Sequence, residues 1–169
     1  MASEPFRSVV LCLPGWGSFR TLADDTLDIH EASLREGDPT AELALLRTRG
    51  FRRGLARTWA DPEHRVVDLT VLQFGEPLQA ALYVADGREA LRAQRAEIVR
   101  HENGFSTTTT DGSFRAHVRS MAWDCWCVVV VVEEGAGDAS ASASDDCAVA
   151  QVRAIRRWRA GTSDENSSC

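Results

Sequence analysis

The pattern of apolar and polar positions from Phe114 to Glu134 predicts two antiparallel strands joined by a tight turn. The second strand contains five consecutive valines, Val128–Val132. β-branched side chains fit a pleated, buried surface, and a run without a polar position has no face suited to solvent. We therefore expect Val128–Val132 to form a central strand that is buried on both faces.

Apolar residues that alternate with polar ones predict five further strands. They lie at Val9–Leu13, Gly54–Trp59, Val66–Phe74, Glu97–His101 and Phe105–Thr110. Apolar residues at helical spacing, with favourable residues at the ends, predict helices at Ala41–Arg49, Glu76–Arg95 and Asp145–Arg159. The acidic stretch Thr21–Asp38 is expected to be a loop. This order predicts an α+β fold, in which about three helices pack on a mostly antiparallel central sheet.

The composition predicts one domain that spans residues 1–160. The chain has 169 residues and is 44% hydrophobic, and a chain of this length buries about 70% of its extended surface on folding. Residues 135–144 are small and polar, which predicts a flexible loop within the domain. Residues 161–169 are polar as well, and we expect a disordered tail there.

The net charge and the N-terminal sequence bear on whether the protein binds nucleic acid and on where in the cell it is found. The formal net charge is −6, whereas a nucleic-acid binder has a basic face or a high pI, so we expect no nucleic-acid partner. No segment approaches the ~20 apolar residues of a membrane span. The apolar run Val9–Leu13 is too short for a signal peptide. We therefore expect a cytoplasmic location, or an extracytoplasmic one if a leader has been removed.

The turn from Leu13 to Ser18 is the segment that suggests an enzyme. A Gly-rich turn after an early strand looks like the opening of an α/β-hydrolase, where it supplies an amide to the oxyanion hole. That fold also needs a G-x-S-x-G nucleophile elbow, and the sequence contains none. It contains no P-loop and no G-x-G-x-x-G motif. We expect no catalytic residues and no cofactor, and a small hydrolase that uses the 14–18 turn is the less favoured alternative.

The five cysteines raise the question of a disulfide or a metal. An odd number without a leader argues against a disulfide framework. Cys125 and Cys127 are predicted to lie on one side of a strand and could join Cys147 and His117 in a zinc site, but their spacing matches no standard zinc motif. We expect free thiols and no metal. A disulfide from Cys147 to Cys125 or Cys127 is the alternative for an exported protein.

Two groups of residues are candidates for binding. Trp123 and Trp126 flank the predicted turn and would be neighbours across it; exposed, they would anchor a partner, and buried, they would belong to the core. Arg115, His117 and Arg119 alternate along the preceding strand and form a row that suits an anion or an acidic partner. The alternative for this row is a solvated strand face paired with nearby acidic residues.

Four segments carry a resemblance to a known family. They are LPGW at 13–16, LLRTRGFRRGLARTW at 45–59, VVDLTVLQF at 66–74 and AVAQVRAIRR at 148–157. In this order they resemble a family of small actinobacterial sensor-like or lipoprotein-type domains, often found outside the membrane. The resemblance implies binding or sensing. We therefore expect a non-enzymatic, sensor-like binding or interaction module with a protein partner; the alternative, based on the sheet edge and the tryptophans, is a structural component of a larger assembly.

Overall fold

The fold is built around an antiparallel sheet of seven strands. The computed structural model describes residues 20–60, 65–111, 114–135 and 141–161. The strands are β1 (Arg20–Leu27), β2 (Phe51–Ala60), β3 (Val66–Phe74), β4 (Ile98–His101), β5 (Gly104–Asp111), β6 (Phe114–Trp123) and β7 (Trp126–Gly135). The helices are α1 (Ile29–Ser33), α2 (Pro39–Thr48), α3 (Pro77–Ala93) and α4 (Ala141–Gly161). The predicted α+β fold with an antiparallel sheet is confirmed, although the described residues form four helices rather than about three.

Strand β7 lies at the centre of the sheet. The strand order is β1-β2-β3-β7-β6-β5-β4, and every neighbouring pair is antiparallel. β7 forms a tight hairpin with β6 around Asp124, whose φ of 53° is left-handed. The other edge of β7 pairs with β3. The central position predicted for Val128–Val132 is therefore confirmed.

The two faces of β7 are covered unequally. On one face Val128, Val130 and Val132 are fully buried in a cluster that includes the apolar side of α4. On the other face Val129 and Val131 are only partly buried, and both line a cavity. The prediction of burial on both faces is wrong for these two residues, because α1 and α3 leave a space between them over the middle of the strand.

Two apolar clusters hold the helices against the sheet. The cluster under α4 contains Trp126 and Ile155, both almost completely buried. The cluster on the opposite face contains Leu46 of α2, Phe74 of β3 and Val84 of α3. The sheet thus lies between α4 on one side and α1, α2 and α3 on the other.

The acidic stretch that was predicted to be a loop forms β1 and α1 instead. β1 is an edge strand, so its acidic side chains remain near solvent. Asp28 caps α1 by accepting hydrogen bonds from the amides of His30 and Glu31 at 2.8 and 2.9 Å. Glu31 completes a capping box by accepting a bond from the Asp28 amide. This pattern is a recognisable start signal for a helix.

Helix α4 begins at Ala141 rather than at the predicted Asp145. Residues 141–144 are helical, and the side chains of Ala143 and Ser144 are buried. The flexible loop predicted at 135–144 therefore does not extend to these four residues. The rest of that predicted loop, most of the predicted tail, the strand predicted at Val9–Leu13 and the 14–18 turn lie outside the described residues. Of the four helices described, none has the length and hydropathy needed to cross a membrane.

Candidate functional site

The predicted row of basic residues on β6 lies mostly beneath α4. Arg115 is exposed, but His117 and Arg119 are each only 5% exposed. The Nδ1 atom of His117 lies 2.8 Å from the hydroxyl of Thr108 on the neighbouring strand. Arg115, His117 and Arg119 do lie on one face of β6, as the alternating pattern predicts. The pattern of one strand contains no information about α4, which covers most of this face. The structure therefore leaves one member of the row, Arg115, open to a partner.

Arg119 fastens α4 to the sheet. Its guanidinium donates hydrogen bonds to the carbonyl oxygens of Phe105 and Ser120 at 2.8 and 2.9 Å. Its Nε lies 2.9 Å from a carboxylate oxygen of Asp145 in α4. Burial lowers the pKa of Arg119, and the charge of Asp145 opposes that shift. The side chain is occupied by these internal contacts.

The two tryptophans at the β6–β7 turn have different environments. Trp126 is 1% exposed and packs edge-to-face on Trp158, with ring centroids 6.1 Å apart. Trp123 is half-buried, and the guanidinium of Arg156 lies 5.1 Å from its ring centroid. Trp126 is thus part of the core, and Trp123 retains some exposed surface beside the turn.

The described cysteines, Cys125, Cys127 and Cys147, are buried, and none of them forms a disulfide with another described residue. Cys125 and Cys147 belong to the cluster under α4, and Cys127 belongs to the cluster on the other face. The prediction that Cys125 and Cys127 share one side is wrong, because Cys125 lies in the turn, where strand alternation does not apply. Burial raises the pKa of Cys127 and of Cys147 to about 12, which keeps both thiols protonated. Among the described residues, no three side chains form a group suited to a metal.

A groove opens between α3 and two turns of the sheet. Its cavity has a volume of about 360 Å³. One wall is a stripe of α3, and the other is formed by the β4–β5 turn and the end of β6. The residues around it are Pro77, Ala81, Val84, Ala85, Arg88, His101, Glu102, Asn103, Gly104, Ala122 and Asp124. We call this cavity the α3 groove.

The stripe of α3 follows from the helical repeat. Pro77 begins the helix, where its missing N–H is tolerated. Residues three and four apart share a face, so Ala81, Val84, Ala85 and Arg88 line the groove together. The two alanines have small side chains, and they leave space between the helix and the turns.

Gly104 holds the opposite wall close to the sheet. A Cβ atom at this position would lie 2.0 Å from the carbonyl oxygen of Ser120, so no larger residue fits without moving the backbone. The Asn103 carbonyl accepts a hydrogen bond of 2.8 Å from the amide of Ala122. Together these contacts fix the position of the β4–β5 turn against β6.

Polar groups at the rim of the α3 groove have unused hydrogen-bonding capacity. Arg88 uses its Nε on Glu89 at 3.2 Å, and its two terminal nitrogens bond to no described residue. His101 uses its Nε2 on Ser106 at 2.9 Å. Within the described part of the chain, the side chains of Glu102 and Asn103 have no hydrogen-bond partner. Such groups are free to bind a ligand.

A smaller cavity of about 80 Å³ lies on the other side of α3, above Val129 and Val131. Arg35 forms an ion pair with Asp68 at its wall. Burial raises the pKa of Asp68, and the positive charge of Arg35 only partly opposes this shift. Tyr83 of α3 also lines the wall. The cavity has space for a few atoms only.

Two carboxylates lie beside this smaller cavity: Glu42 is half-buried, and Glu36, which lines the cavity, remains exposed to solvent. The hydroxyl of Tyr83 donates a hydrogen bond of 2.7 Å to Glu42. Burial raises the pKa of Glu42, and the bond from Tyr83 partly lowers it. Partial desolvation raises the pKa of Glu36, and the charge of Glu42 raises it further. Burial also raises the pKa of Tyr83.

The comparisons with known proteins identify the fold. No family model matches the sequence, and no curated protein matches it in sequence. In structure the chain is similar to the extracellular domain of PknH from Mycobacterium tuberculosis. The two share 11% sequence identity and superpose with a TM-score of 0.64, over 93% of this chain and 97% of that domain. The fold is shared.

Proposed function

We propose that this protein is a non-enzymatic, sensor-like binding module that takes a small polar ligand in the α3 groove. The observation that carries the proposal is the groove itself. Its cavity of about 360 Å³ lies in the size range of small-molecule sites. It combines an apolar lining of small side chains with rim groups whose hydrogen-bonding capacity is unused.

The location is part of this proposal. The structural neighbour is named as an extracellular domain, which supports the extracytoplasmic alternative over the cytoplasmic location expected from the sequence. A module outside the membrane would meet its ligand there. Detection of the native protein in the cell-envelope fraction of its host would agree with this location, and its confinement to the cytosol would contradict it.

A protein partner remains a proposal of its own. The predicted contact residues Trp123, Trp126, Arg115, His117 and Arg119 are not equally accessible, since three of them are buried. We propose that a partner contacts the exposed Arg115 or the half-buried Trp123. The β6–β7 turn beside Trp123 also lines the α3 groove through Asp124, so a partner that contacts Trp123 would bind next to the ligand.

A variant that fills the groove tests the proposed function. Ala85→Phe places a ring in the cavity, and Ala90→Phe places the same ring at an exposed position on α3 that does not line it. A panel of polar metabolites is screened by ligand-observed NMR against the wild type and both variants. We expect ligands that bind the wild type and Ala90→Phe but not Ala85→Phe. Ligands that bind all three proteins equally would overturn the proposal.

A further inference from the structure

We propose that the ligand of the α3 groove is a zwitterion with a carboxylate and a primary ammonium group, of the size of an amino acid or a dipeptide. This inference rests on the proposed function, because it names the class of ligand for the same site. It follows from the two opposite charges at the rim, from the polar groups beside them and from the volume between the walls.

The rim carries two opposite charges that do not neutralise each other. Arg88 and Glu102 both line the groove, yet no ion pair joins them, and Glu102 has no ion pair with any described residue. The charged partner of Arg88 is Glu89, its neighbour on the exposed side of the helix. Opposite charges that face one cavity without pairing with each other are suited to a ligand that carries both a negative and a positive group.

The carboxylate of the ligand is assigned to the side of Arg88. The two terminal nitrogens of its guanidinium are the ones that bind a carboxylate in the bidentate geometry, and they are the unused ones here. His101, at the end of β4, also lines the groove; its Nε2 contacts Ser106, and its Nδ1 has no hydrogen-bond partner among the described residues. It offers one further hydrogen bond to the ligand.

The ammonium group is assigned to the side of the β4–β5 turn. The carboxylate of Glu102 and the amide oxygen of Asn103 are both acceptors without a partner in the described chain, and an ammonium group has three donors to share. Asp124 adds negative charge to the same wall, although it also pairs with Arg159. A ligand with only negative charge would be repelled by this wall.

The volume sets the size of the ligand. Liquid water occupies about 30 Å³ per molecule, so the cavity of about 360 Å³ corresponds to roughly a dozen waters. This space suits a molecule of about ten to fifteen heavy atoms, and its apolar wall consists mainly of small residues. A large apolar ligand would find few side chains to contact and would leave the charged rim unpaired.

Calorimetric titration with four probes tests this inference. L-alanyl-L-alanine and L-glutamine carry both charges, butyrate carries the carboxylate alone, and n-butylamine carries the ammonium alone. The variants are Arg88→Gln and Glu102→Gln, with Arg47→Gln and Glu133→Gln as controls on exposed residues away from the groove. We expect a zwitterion to bind the wild type at least about tenfold tighter than butyrate or butylamine, and each groove variant to lose about tenfold.

The outcomes distinguish a failure of the zwitterion assignment from a failure of the proposed function. Three results would overturn the zwitterion assignment. They are equal affinity for all four probes, a zwitterion affinity that is unchanged in both groove variants, and no binding of either zwitterion. The proposed function survives that result if another metabolite is lost in Ala85→Phe and retained in Ala90→Phe. A zwitterion that binds the wild type and Ala85→Phe equally would contradict both statements.

Discussion

At the residue scale, Arg119 shows how one buried charge connects two elements. It was predicted as part of a surface row, and the structure places it under α4 with two carbonyl oxygens and Asp145 around it. The guanidinium is nearly inaccessible, while the Asp145 side chain is 42% exposed. The acid is thus the partner that can be removed with the smaller change in packing.

Asp145→Asn is expected to destabilise the protein by about 1–2 kcal/mol. Removing one partner of a fully buried pair costs about 3–5 kcal/mol. The cost is lower here, because solvent screens Asp145 and Arg119 keeps its carbonyl partners. The neighbouring Asp146 is exposed, so Asp146→Asn should change stability by less than about 0.5 kcal/mol. Urea unfolding of both variants measures the difference, and equal stabilities would show that the ion pair contributes nothing.

Glu42 gives the stability a defined dependence on pH. Burial raises its pKa above the ordinary value of 4.5 in the folded state, so the folded protein holds this proton more tightly than the unfolded chain. The stabilisation is complete below about pH 4.5 and is lost as the pH rises through the folded pKa. Glu42→Gln keeps an acceptor for Tyr83 and removes the charge. Its stability relative to wild type should therefore rise from pH 4.5 to pH 7, as measured by urea unfolding. If the stability of Glu42→Gln relative to wild type falls as the pH rises, the predicted direction is wrong. Glu133→Gln, at an exposed position, is the control.

At the element scale, consecutive residues of strand β7 differ in burial, because they point to opposite faces of the sheet. Val130 is fully buried under α4, and Val131 is half-buried beside the smaller cavity. Val130→Asp is expected to unfold the protein, because it leaves a charge without a partner in the core. Val131→Thr should cost less than about 1 kcal/mol, since its position reaches solvent. Circular dichroism during heating checks both, and a cooperatively folded Val130→Asp protein would disprove the burial of this face.

The β4–β5 turn depends on the absence of a side chain at Gly104. Gly104→Ala places a methyl group against the backbone of Ser120 and Met121, at 2.0 and 2.8 Å. Forcing the strands apart should cost about 2–3 kcal/mol and move the wall of the α3 groove. Gly37→Ala is the matched control, because nothing lies within 4 Å of its Cβ position. Thermal unfolding of the two variants should differ by several degrees; equal melting temperatures would refute the close approach.

The elements themselves could be predicted to different degrees. The β6–β7 hairpin, β3 and α3 have clear periodicity, and the sequence pattern located them to within a few residues. β1 could not be found in this way, because an edge strand with acidic, mostly exposed side chains has no apolar alternation. The start of α4 was placed late because the low-complexity stretch of glycine, alanine, serine and aspartate at 135–144 predicted a loop, whereas Ala143 and Ser144 are buried in the helix.

At the scale of the whole molecule, the α3 groove could not be predicted from local patterns. Its walls come from α3, from the β4–β5 turn and from the end of β6, and only the strand order brings these segments together. The stripe of alanines on α3 was visible in the sequence, but small residues on a helix face are also common in a packed core. His117 and Arg119 on β6 are not a surface for the same reason, since α4 covers them from a distant part of the chain.

The buried thiols report on the opening of the whole molecule. Cys127 and Cys147 lie on opposite faces of the sheet, and burial raises the pKa of each to about 12. Both should react with a thiol reagent only when the fold opens, about 100-fold or more slowly than an added thiol at the exposed position of Val149→Cys. Peptide mapping by mass spectrometry gives the rate at each site. Fast reaction of Cys147 alone would show that α4 detaches separately.

The order of strands has a consequence for the synthesis of this chain. Of the seven strands described, the one at the centre of the sheet, β7, is the last to be translated. Until Gly135 has left the ribosome, β3 and β6 each present an open edge, and the halves β1–β3 and β4–β6 have no strand between them. Joining distant strands is slow, and open edges invite aggregation. A nascent polypeptide that stalls before Trp126 is therefore the form of this protein that most needs a chaperone.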